Sequence, residues 1–117
     1  MQSLIVFSMT HPDLPEILSQ LRQYLQQEYG DRLTHLVLFG SQARNTATDQ
    51  SDIDVLAVLN DSFDFVQEVK RTNDFVSDLC LDHAVLVSLM FASRERFKQE
   101  NSPFFLNVRR EGILYDT

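Results

Sequence analysis

Two apolar, strand-forming stretches, LTHLVLF at 33–39 and DIDVLAVL at 52–59, are joined by the polar segment GSQARNTATDQS. Gly40 has no Cβ, so the backbone can turn sharply there and a ligand can approach it closely. Ser41 follows at the start of a short helix predicted over 41–46. Its N–H and hydroxyl can donate to an anion, and the helix dipole favours negative charge there. Taken alone, the Gly-Ser pair is equally an ordinary serine-capped turn. Asp52 and Asp54 change the balance. Residues two apart on a strand share a face, so both carboxylates project to one side while Ile53 points into the core. Hard oxygen ligands at this spacing suit Mg²⁺ or Mn²⁺, and two adjacent like charges call for a counter-ion. The junction therefore reads as a place that holds nucleotide phosphates beside a divalent metal.

The flanking sequence builds a small α/β frame around this junction. Leu14, Ile17, Leu18, Leu21 and Leu25 recur at helical spacing between a candidate N-cap at Asp13 and a stop at Gly30. The pattern predicts a helix over 14–29, with Gln20, Gln23, Gln27 and Glu28 toward water. Residues 33–39 suit a central strand buried on both faces. A second helix is expected over about 62–81, with Phe65, Val66, Val69, Val76, Leu79 and Cys80 as its apolar stripe. VLVSLMFA at 85–92 reads as a third strand. Ser93 caps a short helix, and Ser102-Pro103 starts another that stops at Gly112. Residues 2–9 fit a helix start or an edge strand equally. The expected fold is an α/β (α+β) domain in which helices flank a small mixed sheet, with residues 1–117 forming one domain.

Composition narrows the function classes. The formal net charge is −7, from 17 acidic and 10 basic side chains, which argues against a protein that grips nucleic acid through its backbone charge. A nucleotide carried by a metal ion remains compatible, because the ion supplies positive charge locally. The lone cysteine, Cys80, allows no internal disulfide and sits in an apolar helical stretch, as a buried thiol would. The three histidines are scattered and suggest no zinc set. His35, within a strand, reads as structural. No apolar run reaches the length of a membrane span and no basic leader opens the chain, so a soluble cytoplasmic protein is expected.

Gly40-Ser41, ten intervening residues and Asp52-Ile53-Asp54 together resemble the signature of the polymerase-beta-type nucleotidyltransferase superfamily. The chain is similar in size to its minimal nucleotidyltransferase (MNT) members. The tail SPFFLNVRREGILY at 102–115 resembles the end of MNT antitoxins that act beside HEPN-domain toxins. The resemblance spans roughly residues 30–115 and implies the nucleotidyltransferase fold. It also implies that Gly40 and Ser41 hold the outer phosphates of ATP, and that Asp52 and Asp54 hold Mg²⁺ and serve as the catalytic carboxylates. A hydroxyl would attack the α-phosphorus and release pyrophosphate. In the antitoxin group that hydroxyl belongs to a tyrosine of the partner toxin.

One departure matters. The superfamily places a third carboxylate on the following strand, and AVLVSLMF has none. Ser88 takes the polar position there. Asp82, just before the strand, is the nearest substitute as a metal ligand, and Asp78 the next; a helix-end or loop role is the other reading of Asp82. Asp49 reads as a turn residue. Arg44 can reach the triphosphate or make a surface ion pair. Arg109 and Arg110 suit either their helix terminus or a nucleotide or partner contact. Phe104, Phe105 and Leu106 form an apolar cluster that covers the sheet or marks an interface. Two other functions stay open: a catalytically weak member that neutralises its partner by binding alone, and a nucleotidyltransferase for a small molecule.

Overall fold

The computed structural model describes residues 11–44 and 52–115. The expectations for residues 2–9, for Asp49 and for the end of the short helix lie outside these residues. The elements run α1 (Leu14–Tyr29), a 3₁₀ turn (Gly30–Arg32), β1 (Leu33–Phe39), α2 (Gly40–Arg44), β2 (Ile53–Leu59), α3 (Phe65–His83), β3 (Val87–Ser93), α4 (Arg94–Gln99), α5 (Pro103–Glu111) and β4 (Ile113–Leu114). The sheet order is β3-β2-β1-β4. β1 is antiparallel to both β2 and β4, whereas β2 and β3, joined through α3, are parallel. The sheet is therefore mixed and flanked by helices, as the sequence pattern implies.

Alternation along the central strands decides which helices cover which face. Ile53, Val55, Ala57 and Leu59 join Leu36 and Leu38 under α1 and α3. Leu56, Val58 and Val37 face the other way, toward Phe105 and Val108 of α5. β2 is thus apolar on both sides, and Ile53 is fully buried. Removing a side chain such as Ile53 to alanine typically costs about 2–5 kcal/mol.

Several local expectations need correction. Asp13 stands at the N-terminus of α1 but its side chain makes no cap hydrogen bond. It pairs instead with Nδ1 of His83, 2.9 Å away at the end of α3. The leading part of the expected α3 stripe faces solvent: Phe65, Val66 and Val69 are exposed. The inward stripe begins with Glu68 and Thr72 and continues to Leu79. These polar residues tolerate burial because they are bonded. Tyr29 donates its hydroxyl to Glu68 at 2.6 Å, and Thr72 donates to the Glu68 carbonyl at 3.0 Å. Burial and the Glu68 carboxylate push the Tyr29 hydroxyl well above its ordinary pKa. Helix α3 begins at Phe65 because Asp64 caps it by accepting from the Gln67 N–H. It ends at Ala84, which adopts the left-handed conformation, so β3 starts two residues later than the apolar run suggests. Cys80 is half-buried and its sulfur accepts from the Val87 N–H.

The C-terminal region packs as a lid over one face of the sheet. Ser102 caps α5 by accepting from the Phe105 N–H. Of the apolar trio, Phe105 is buried, Phe104 half-buried and Leu106 exposed. Arg109 is bound across to α4, donating to the Phe97 carbonyl at 2.7 Å and to Asn101 at 3.1 Å. β4 was not foreseen. It has two residues, too few to carry a periodic signal.

Candidate functional site

The site is assembled where β1 ends and β2 begins. Antiparallel pairing sets Phe39 opposite Asp54, and parallel pairing sets Ser88 opposite Asp54 on the other side. Phe39, Asp54 and Ser88 therefore form one row across three strands, on the face covered in part by α5. Gly40 follows Phe39 with φ +74°, a conformation that side chains rarely adopt. A Cβ at Gly40 would run into the Asp54 carboxylate oxygen Oδ2. The backbone conformation favours glycine there, and a larger residue would also have to turn the Asp54 carboxylate aside. Ser41, half-buried, has its Cα one peptide, about 3.8 Å, further on. The Gly40 turn and the Asp-x-Asp strand are thus in contact.

Electrostatics at Asp54 fit a site built for a cation. Burial raises its pKa above the ordinary carboxylate value, the neighbouring Asp52 raises it further, and Arg44 opposes both. Two carboxylates stand close together with Arg44 as a positive neighbour among the described residues, an arrangement that a bound cation would relieve. Arg44 is exposed and lies 4.0 Å from Glu111 of α5. Its side chain spans the gap between α2 and α5 while still acting on Asp54.

The remaining predicted ligand falls elsewhere. Asp82 lies near the end of α3, the helix that covers the opposite face of the sheet from Asp54. Among the described residues no group of three His, Cys, Asp or Glu side chains could hold a metal ion, so Asp82 does not complete the pair. Asp78, also on α3 and exposed, does not either. Ser88 occupies the strand position beside Asp54 itself.

Gln42 was missed by the sequence reading. Its side chain is fully buried. Its Oε1 accepts from the His11 N–H at 3.0 Å, and its Nε2 points to the Asp52 carbonyl at 3.5 Å. The amide ties α2 to the start of β2 and to the chain entering α1. A polar residue in a five-residue helix gives no local sign that it will be buried; only its position directly after Gly40-Ser41 could have drawn attention to it.

A cleft of about 180 Å³ adjoins the turn. Gly40 and Arg44 line one side, and Phe104, Asn107 and Glu111 of α5 the other. A larger, open hollow of about 460 Å³ lies along α1 against Tyr115. It has no carboxylate and no glycine turn in its lining, so the chemistry points to the smaller cleft. No helix of the described residues is long and apolar enough to cross a membrane.

Comparison with known proteins agrees with this geometry. The family model described as Nucleotidyltransferase domain matches residues 18–111. A Methanocaldococcus jannaschii protein named "Putative protein adenylyltransferase" is 38% identical over 93 residues, 78% of this chain and 87% of its own. A solved "putative nucleotidyltransferase" from Sulfolobus solfataricus superposes with TM-score 0.65 at 14% identity, covering 97% of this chain and 88% of the other. A toxin-antitoxin crystal structure with AMP-PNP superposes with TM-score 0.57 at 19% identity, covering 84% and 73%.

Proposed function

The chain belongs to the nucleotidyltransferase domain family, and from that premise we propose that it is a cytoplasmic, single-domain antitoxin that transfers AMP from Mg-ATP to a tyrosine hydroxyl of a HEPN-domain partner toxin. One observation carries the reading. Gly40 is in such close contact with Asp54 that a Cβ would meet the Asp54 carboxylate, which supports a turn that can accept phosphate beside a carboxylate pair. The name of the archaeal relative supports the transfer of an adenylyl group to protein. The resemblance of the tail to MNT antitoxins supports a toxin partner.

Each residue has a distinct task. Gly40 lets the outer phosphates approach the backbone. The Ser41 hydroxyl donates to a phosphate oxygen, and the Arg44 guanidinium pairs with the triphosphate from α2. Asp52 and Asp54 would hold Mg²⁺. Bound there, the ion would supply positive charge to offset the triphosphate and the charge that develops during transfer. The protein's main contribution is to position the reactants. The acceptor oxygen bonds to the α-phosphorus as the bond to the bridging oxygen breaks, and pyrophosphate leaves. Ser88, in the row beside Asp54, cannot take up the acceptor's proton at neutral pH. That proton passes to solvent or to a group of the partner.

The test is direct. The protein is incubated with the product of its neighbouring gene, Mg²⁺ and ATP, and the partner's intact mass is measured. The expected result is one or more added adenylyl groups on a partner tyrosine, lost with D52A and D54A. An unmodified partner that is nevertheless neutralised in a stable complex would replace transfer by binding alone.

A further inference from the structure

We infer that the cleft between the β1–α2 turn and α5 is the subsite for the nucleoside of the bound nucleotide, and that Asn107 is the residue that reads its base. This rests on the nucleotide reading of Gly40 and Asp54 above. Helix α5 presents Phe104, Asn107 and Glu111 to the cleft, at spacings of three, four and seven residues that put them on one helical face. The cleft has Gly40 and Arg44 on one side, where the phosphates would sit, and α5 on the other. A nucleotide held by its phosphates at the turn therefore extends its nucleoside along α5.

The shape and chemistry of the cleft suit a base. Its volume of about 180 Å³ is below the roughly 300 Å³ of a pocket for a drug-sized ligand, so it has room for one ring system and not for a bulky acceptor. The Phe104 ring is half-buried and fixed in orientation. It makes T-shaped contacts with Phe39 at 5.5 Å and with Phe105 at 5.1 Å. A fixed aromatic ring at a cleft wall is a stacking surface for a base. Asn107 stands one turn further along and is exposed. The described residues give its amide no hydrogen-bond partner. An amide offers a donor and an acceptor side by side, which is how a side chain addresses the edge of a base. Glu111 is an acceptor for ribose hydroxyls, and Arg44 at 4.0 Å offsets its charge near the phosphates.

The acceptor then has the other side of Asp54. There the row continues to Ser88 and, two residues along β3, to Met90, which is exposed. The nucleoside lies on the β1–α5 side and the incoming hydroxyl on the β3 side, so neither blocks the other.

Isothermal titration with inorganic tripolyphosphate, ATP, GTP and UTP, each with Mg²⁺, tests the assignment. Tripolyphosphate reports the phosphate cradle and the nucleotides report the cleft as well. Wild type is expected to bind its preferred nucleotide at least about tenfold more tightly than tripolyphosphate. Asn107→Ala should flatten the preference among the three bases, and Phe104→Leu should weaken all three nucleotides. Tripolyphosphate affinity should stay within about twofold in both variants, which also shows that they fold. If both variants keep the wild-type ratios of nucleotide to tripolyphosphate, the cleft is not the nucleoside subsite. If wild-type protein binds neither tripolyphosphate nor any nucleotide, the nucleotide reading of the turn fails and takes this inference with it.

Discussion

Gly40→Ala is the most demanding perturbation of the site, because its two costs can be separated. The first is conformational: φ is +74°, and a left-handed backbone costs a residue with a Cβ about 1–2 kcal/mol. The second is steric: the new methyl would overlap Oδ2 of Asp54 and lie 3.4 Å from its Cγ, so the carboxylate must turn away or the β1–α2 turn must open. Gly30 is a built-in control. Its φ is +54°, and a Cβ there would meet nothing within 4 Å. Gly30→Ala should therefore lose only a conformational part, about 1–3 kcal/mol because its ψ of −129° lies in a region that glycine alone adopts readily, and leave the site intact. Gly40→Ala should lose about 2–4 kcal/mol, and Mg-ATP affinity should fall by at least about tenfold. Urea unfolding measures the stabilities, and calorimetry the affinity. A double-mutant cycle isolates the clash: in a D54A background, Gly40→Ala should cost less than it does in the wild type, by the steric part alone. If the two glycine variants behave alike in stability and in Mg-ATP binding, the contact between turn and carboxylate does not shape the site.

Three other outcomes follow from the same geometry. The raised pKa of Asp54 means that the folded protein holds this proton more tightly than the unfolded chain. Metal-free stability should therefore fall as pH rises from about the ordinary carboxylate value of 3.8 through the raised one. D54N should remove that slope in urea titrations run across pH, and an unchanged slope would contradict the assignment. Gln42→Leu keeps the volume but leaves the His11 N–H unpaired, which should cost about 1–3 kcal/mol. It should also weaken Mg-ATP binding, whereas a variant that binds normally would show that the tie to Asp52 is dispensable. Ser88→Asp puts a third carboxylate in the row beside Asp54. It should tighten divalent-metal binding and raise transfer to the partner while lowering metal-free stability, and a drop in transfer would show that the site is built to work with two.

Much of the site was legible in the chain because its determinants are local. Leu33–Phe39, the Gly40 turn and Ile53–Leu59 lie within 27 consecutive residues. Backbone conformation, strand alternation and the charge of two aspartates act over that range. The start of α5 at Ser102-Pro103 and its stop at Gly112 were legible for the same reason, whereas the ends of α3 fall a few residues from those expected. The family signature resides in the same segment, and for that reason a short motif could indicate both fold and activity.

Tertiary structure decided what depends on register and on packing between distant segments. Ser88 is beside Asp54 because β3 pairs with β2 in one particular alignment, and a shift of one residue would have placed another side chain on that face. Asp82 is near in sequence to β3 but belongs to the helical layer on the opposite face. Gln42 is buried because three separated stretches, at His11, α2 and Asp52, meet around its amide. Glu68 replaces Val69 on the inward face of α3 because a tyrosine hydroxyl 39 residues earlier in the chain satisfies it. The α5 wall of the cleft comes from more than 60 residues beyond Gly40. Local propensity carries no information about such meetings. They are set when the two faces of the sheet choose their helices, and that choice depends on the burial and hydrogen bonding of the whole chain at once.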